Sequence, residues 1–334
     1  MTDAFRPLRA AALLACALAA TLPAMTGAAQ TPTLPQGQAQ APAQPTAPYT
    51  VVETGRSYAR LQDAVNAIGD GAGTIRFASL RYADCAIQDY GDITYQAAKP
   101  GEAVLEGIAC ENKAALVLRG RSARVDGLVF ANIRVADKTG AGIRLERGNL
   151  AVSQSWFRDS EQGILSANDA ASAITIDRST FTRLGTCEGA GGCAHSVYVG
   201  DYGSLTVTRS RFEAGRGGHY LKSRARQIAV LDNSFDDSAG KATNYMIDLS
   251  GGAIGRIVGN WFVQGRDKEN HSAFIAVAAE GRAYPSDGLV IEGNDARFVP
   301  DIEWGSVFVA DWSGDRLAIG QNALAQGLTR FEKR

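Results

Sequence analysis

One short pattern recurs along the chain and limits what it can fold into: an alternating apolar strand, a polar turn, then a phenylalanine. It reads LAVSQSWF to Phe157, ITIDRSTF to Phe181, LTVTRSRF to Phe212 and IAVLDNSF to Phe235. Looser copies are RIVGNWF to Phe262 and LVIEGNDARF to Phe298, and VDGLVF to Phe130 precedes them. The phenylalanines follow one another at intervals between 23 and 36 residues. A unit of this length, repeated this often, marks a solenoid in which each unit buries its apolar face only against its neighbours. The units carry period-2 strands and no 3.6-residue period, so helical and leucine-rich repeats are excluded.

Three short strands per coil, joined by Gly, Asn, Asp and Ser turns, give an all-β fold: a single-stranded right-handed parallel β-helix. About ten coils fit between residues 75 and 325. Glycine is abundant (37 of 334 residues) but shows no G-x-y period, so collagen is excluded and tight turns are the better reading. One helix precedes the coils. In SYARLQDAVNAIGDG, Leu61, Val65 and Ile68 share a face and Gly69 ends it. A parallel solenoid leaves a raw strand edge at each end, and this amphipathic helix is placed to cover one.

The organisation expected is a signal peptide over 1–29, a Pro/Gln/Ala linker over 30–48 and the β-helix over 49–334. Arg6 and Arg9 open the signal, residues 10–20 supply an apolar stretch too short to span a bilayer, and Gly27-Ala28-Ala29 is a small-residue cleavage site. Leu13-Leu14-Ala15-Cys16 has the form of a lipoprotein box, but the apolar run before Cys16 is short and disfavours a lipid anchor. The reading is of an exported protein, periplasmic or secreted, with no membrane span. Four cysteines remain after the signal, an even number in an exported chain. Cys187 and Cys193 bracket a Gly-rich loop, and Cys85 and Cys110 fall about one coil apart, so two disulfides are expected. No CxxC pair or His spacing suits zinc. The formal net charge of -1 offers no basic surface for nucleic acid.

The helix, the following GAGTIRF and then ALVLRGRSARVDGLVF resemble the start of the pectate-lyase-like β-helix superfamily, from about residue 50 to the end. The resemblance implies the fold and, for enzyme members, action on acidic polysaccharides. The chain lacks the Asp-rich calcium cluster of pectate lyases and the Asp-Pro-His-Asp motif of alginate epimerases, so it implies neither of those activities. No cofactor is assigned, and calcium stays open.

The strand preceding each Phe-terminated strand can be aligned as GIRLE, GILSA, SVYVG, YLKSR, MIDLS and FIAVA. The inward column is Ile143, Ile164, Val197, Leu221, Ile247 and Ile275. The outward one reads Arg144, Leu165, Tyr198, Lys222, Asp248 and Ala276. Neighbouring coils lie about 4.8 Å apart, so Tyr198, Lys222 and Asp248 form a ladder. His195, His219 and Tyr245 stand just before these strands, and His271 lies near the start of the last.

Elimination from a uronate needs its carboxylate neutralised, a base for the C5 proton and an acid for the leaving oxygen. Arg224 suits the first role, because its planar fork grips a carboxylate. Lys222 or His219 is the candidate base, and Tyr198 or His195 the acid. His195, Tyr220, Tyr245, Asp248, Arg144 and Arg226 are assigned to substrate binding, with the tyrosines as stacking surfaces. Glu280 and His271 are read as rim residues only, and Asp236-Asp237 as turn capping. The leading expectation is a polysaccharide lyase, acting as a monomer on an acidic polysaccharide. The alternatives are a glycoside hydrolase or epimerase on the same scaffold, with Glu146, Asp201 and Asp248 the only carboxylates near the face, and a non-catalytic glycan-binding or surface-structural β-helix.

Overall fold

The computed structural model describes residues 47–334. The expected signal peptide, most of the expected linker and Cys16 lie outside the described residues. From residue 72 onward the chain winds through three parallel sheets, each contributing ten rungs, so the molecule is a parallel β-solenoid of about nine turns. One coil runs Tyr202–Thr208, Arg211–Glu213, Leu221–Ser223, and the next Gln227–Leu231, Ser234–Asp236, Ile247–Leu249. Each strand pairs with its equivalent one coil away, as in Phe212 with Phe235 and Lys222 with Asp248.

The repeat phenylalanines meet as the alignment predicts. Phe130, Phe157, Phe181, Phe212, Phe235 and Phe262 are all fully buried and stack ring on ring, with centroids 4.8 to 5.0 Å apart. That spacing is the inter-strand distance itself, so the stack follows from register. Phe298 departs from the column. Ala296 takes the rung opposite Phe262, while Phe298 sits two residues on, opposite Gln264. Phe274 and Phe308 fill the space that the small Ala296 leaves, each edge-on to Phe262.

The turn before each phenylalanine carries a second ladder. Gln154, Arg178, Arg209 and Asp232 adopt positive φ, each followed by a buried Ser or Asn. The backbone N–H of Ser155 donates to Ser179 Oγ at 3.2 Å, and that of Ser210 to Asn233 Oδ1 at 2.9 Å. The N–H of Asn233 donates to Asn260 Oδ1 at 3.0 Å, and Asn294 and Asn322 continue the series. Backbone donors that a sharp turn would strand are thereby satisfied one coil at a time.

The helix Leu61–Ile68 lies at the N-terminal end, burying Leu61, Ala64 and Val65. Its first N–H, that of Leu61, donates to Asp84 Oδ2 at 2.8 Å, and Gly69 closes it at positive φ. An antiparallel hairpin, Tyr49–Val51 and Arg56–Tyr58, covers the edge of Ala72–Phe77. Both expected disulfides are present: Cys85–Cys110 with Cα atoms 5.6 Å apart, and Cys187–Cys193 at 4.0 Å. Among the described residues no helix is long and apolar enough to cross a membrane.

Candidate active site

The outward column of the third sheet has the register expected from the alignment: Arg144, Leu165, Tyr198, Lys222, Asp248 and Ala276 follow one another rung by rung. Its middle opens into a cleft of about 400 Å³, lined by His195, Tyr198, His219, Lys222, Arg224 and Glu280, with Gly191–Cys193 of the disulfide loop on one rim and Asn244 and Glu269 on another. Insertions between strands build the walls, while the sheet itself supplies the floor.

Lys222 and Arg224 converge on one carboxylate. Lys222 Nζ donates to Glu280 Oε1, and an Arg224 terminal nitrogen donates to Glu280 Oε2. Arg224 Nε also donates to the Tyr198 hydroxyl oxygen at 2.9 Å, which leaves the phenolic proton free to be given elsewhere. Both cations lie within 6 Å of the Tyr198 ring centroid. Behind Lys222, at 3.3 Å, is Asp248 Oδ2, which accepts from Ser250 Oγ at 2.8 Å and stands 3.6 Å from His219 Nε2. Asp248 Oδ1 has no hydrogen-bond partner among the described residues.

The two histidines touch. The backbone N–H of His219 donates to His195 Nδ1 at 2.9 Å, so that nitrogen carries a lone pair. The two Nδ1 atoms lie 3.2 Å apart. Burial, then the neighbouring His219 ring and the Lys222 charge, hold His195 well below its ordinary pKa. Burial, then Lys222, bring His219 down to about 3. Both rings are therefore neutral at working pH. Burial raises the Asp248 carboxyl against the opposing pull of Lys222. For Glu280 burial also favours the neutral form, but Lys222 and Arg224 outweigh it and hold the carboxyl below its usual range.

Six of the ten residues assigned from sequence thus come together: Tyr198, Lys222, Arg224, His195, His219 and, beneath them, Asp248. Four do not line the cleft. Tyr220 is 1% exposed and offers no stacking face. Gly217 and Gly218, both at positive φ, turn the chain just before it. Its hydroxyl donates to buried Asp237 Oδ1 at 2.7 Å and accepts the Gly215 N–H at 3.0 Å. Tyr245 is half-buried beside the His219 ring, at 5.6 Å between centroids. Arg144 lies two rungs from Tyr198, 3.8 Å from Glu146. Arg226 is exposed beyond the strand end.

Glu280, read from sequence as a rim residue, stands at the centre of the charge network. His271 is exposed and packs on Trp304. The carboxylates considered for hydrolysis do not flank a common space. Glu146 is engaged by Lys113 and Arg119, Asp201 accepts from Tyr284, and Asp248 is 2% exposed. Among the described residues no group of three His, Cys, Asp or Glu side chains is arranged to hold a metal ion. A larger groove of about 630 Å³ crosses the outward face of the sheet that contains Ala72–Phe77; its lining sets Glu53, Asp92 and Arg124 among Thr74, Thr94, Ala151 and Thr175, with Asp92 accepting from Ser122 and Arg121 and Glu53 from the Thr74 N–H.

No protein-family model matches the chain, and no curated protein matches it. Among solved structures, ORF18 of Geobacillus virus E2 is similar over 82% of this chain, with a TM-score of 0.39 and 12% sequence identity. The chain spans 57% of the length of that protein.

Proposed function

We propose that the protein is a polysaccharide lyase of the pectate-lyase-like β-helix type, cleaving an acidic polysaccharide by β-elimination. The observation that carries this reading is the convergence of Lys222 and Arg224 on a single point in an open cleft, beside two neutral histidines and a tyrosine with a free proton. A uronate carboxylate at that point would be held by two charge-assisted donors, which acidifies the C5 hydrogen. His219, neutral in the resting site, takes that proton, and Asp248, 3.6 Å from its Nε2, offsets part of the burial cost and Lys222 repulsion that oppose the imidazolium. As the C5–H bond breaks, a double bond forms between C4 and C5 and the C4–O bond is released. Tyr198, held by Arg224, gives its proton to the departing oxygen. Lys222 then acts in gripping charge, with Asp248 at 3.3 Å behind it and the uronate carboxylate on its outer side.

Two disulfides suit an oxidising compartment, consistent with export. A two-carboxylate hydrolase is supported less well, because Asp248 is buried and Glu280, the other acid on Lys222, is tied up by Lys222 and Arg224.

The test is a panel of pectate, alginate, glucuronan and glycosaminoglycans, followed at the absorbance of unsaturated uronate, with calcium or with chelator. A rise on one substrate is expected, and Arg224→Ala should reduce the rate at least a hundredfold with an unchanged circular dichroism spectrum. Silence on every polymer, or full activity in Arg224→Ala, would sink the proposal.

A further inference from the structure

We propose that Glu280 is a resident stand-in for the substrate carboxylate, occupying the point between Lys222 and Arg224 and swinging out to admit it. This rests on reading the cleft as a carboxylate site. Three observations support the exchange. First, the segment carrying Glu280 is anchored without its side chain. Ala278 N–H donates to Leu249 O at 2.8 Å, Glu280 N–H to Ser250 O at 3.0 Å, and Tyr284 N–H to Gly251 O at 2.9 Å. Arg282 Nε adds a bond to Trp312 O at 3.0 Å. The side chain can therefore leave while the backbone stays.

Second, its departure orphans nothing inside the protein. Lys222 keeps Asp248 at 3.3 Å, and Arg224 keeps the Tyr198 oxygen at 2.9 Å. Glu280 is itself 41% exposed, whereas Lys222 is 8% and Asp248 2% exposed, so the mobile partner is the one nearest water.

Third, the charges balance in a telling way. With Glu280 in place, two cations face two carboxylates. With it gone, Asp248 still neutralises Lys222 and one positive charge remains at Arg224, which is the charge complement of one uronate carboxylate. Neutral sugars gain nothing from that exchange. The site would thus select acidic sugars by making them compete with an internal carboxylate.

The test is calorimetric titration of the full chain with sodium D-galacturonate and sodium D-glucuronate, with D-galactose as neutral control. Glu280→Ala should bind a uronate at least tenfold tighter than wild type, and Glu280→Gln, which keeps the shape, should gain less. Galactose should distinguish none of the three. Should Glu280→Ala lose its native melting transition, Glu280→Gln carries the comparison. Equal or weaker uronate binding in the variants, or none in any of the three proteins, overturns the stand-in role. The lyase reading fails separately: tighter uronate binding in the variants with no polymer cleaved leaves the stand-in intact, and cleavage without any gain leaves only the lyase.

Discussion

Lowering the pH from 7 to 5 should destabilise the fold through two rings. His195 is 6% exposed and the His219 side chain 11%, and each is held neutral in the folded state. In the unfolded chain a histidine titrates near 6.5, whereas folded His219 does so at about 3. The folded pKa is depressed, so the unfolded state binds more protons between the two values. Stability is then fully present above 6.5 and falls steadily as the pH approaches 3.

At pH 5 protonation of the unfolded His219 ring is favoured by one and a half decades, about 2 kcal/mol, and His195, depressed in the same direction, adds to the loss. Most carboxylates have not yet protonated there, and Asp248, raised by burial, gains stability on protonation, so a net fall reports the imidazoles. Urea unfolding at pH 7, 6 and 5 would read the loss as a falling midpoint at constant slope. A His195→Gln, His219→Gln variant starts from a lower stability, but its midpoint should barely move over that range. If the double variant loses as much between pH 7 and 5 as the wild type, the buried-neutral account of these two residues is wrong.

Two further expectations concern the coils themselves. Phe212→Ala removes a ring stacked at 4.8 Å on both sides, and should cost about 3–5 kcal/mol in urea unfolding; a loss below about 1 kcal/mol would show that the column is not what holds adjacent coils. Asn260→Ala strands the N–H of Asn233 and removes the amide donor to the Val230 carbonyl, costing about 1–3 kcal/mol in the same assay. Asn260→Ser should recover part of that, since serine accepts the preceding coil's N–H at Ser179 and Ser210; a serine variant no better than alanine would refute the ladder as the cause.

The fold was legible because each coil must present the same face to its neighbour, so the strand, turn and phenylalanine repeat in the text. Where the repeat slackens, the reading slips. The LVIEGNDARF segment aligned Phe298 with its predecessors, yet Ala296 holds the rung, because two other phenylalanines supply the missing volume. The hairpin at Tyr49–Val51 went unread because strands of three residues beside a Pro-rich stretch carry no period. The Ser/Asn ladder was visible as Asp-Asn, Gly-Asn and Gly-Asn before successive strands, but it calls attention to turns rather than to burial.

For the site, period-2 alternation placed Tyr198, Lys222 and Asp248 correctly on one face. It failed at Tyr220, where two glycines at positive φ break the alternation. It could not reach Glu280, which lies 58 residues from Lys222 in an insertion with no repeat to align.

Two buried ion pairs with contrasting surroundings distinguish scaffold from site. Asp237 and Lys268 are 0% and 1% exposed, and Asp237 is saturated. Tyr220 and Thr243 donate to Oδ1 at 2.7 Å each, and Lys268 and Gly265 to Oδ2 at 3.1 Å each. Such a pair recovers its desolvation cost through complete hydrogen bonding, and it fixes the turn that carries Gly217 and Gly218. Asp248 and Lys222 are nearly as buried, but Asp248 leaves Oδ1 without a partner and Lys222 reaches out to a half-exposed carboxylate. An incompletely satisfied buried charge is an expensive way to stabilise a coil. It makes sense as a means of keeping Lys222 neutralised from below while its outer partner changes from Glu280 to a sugar carboxylate.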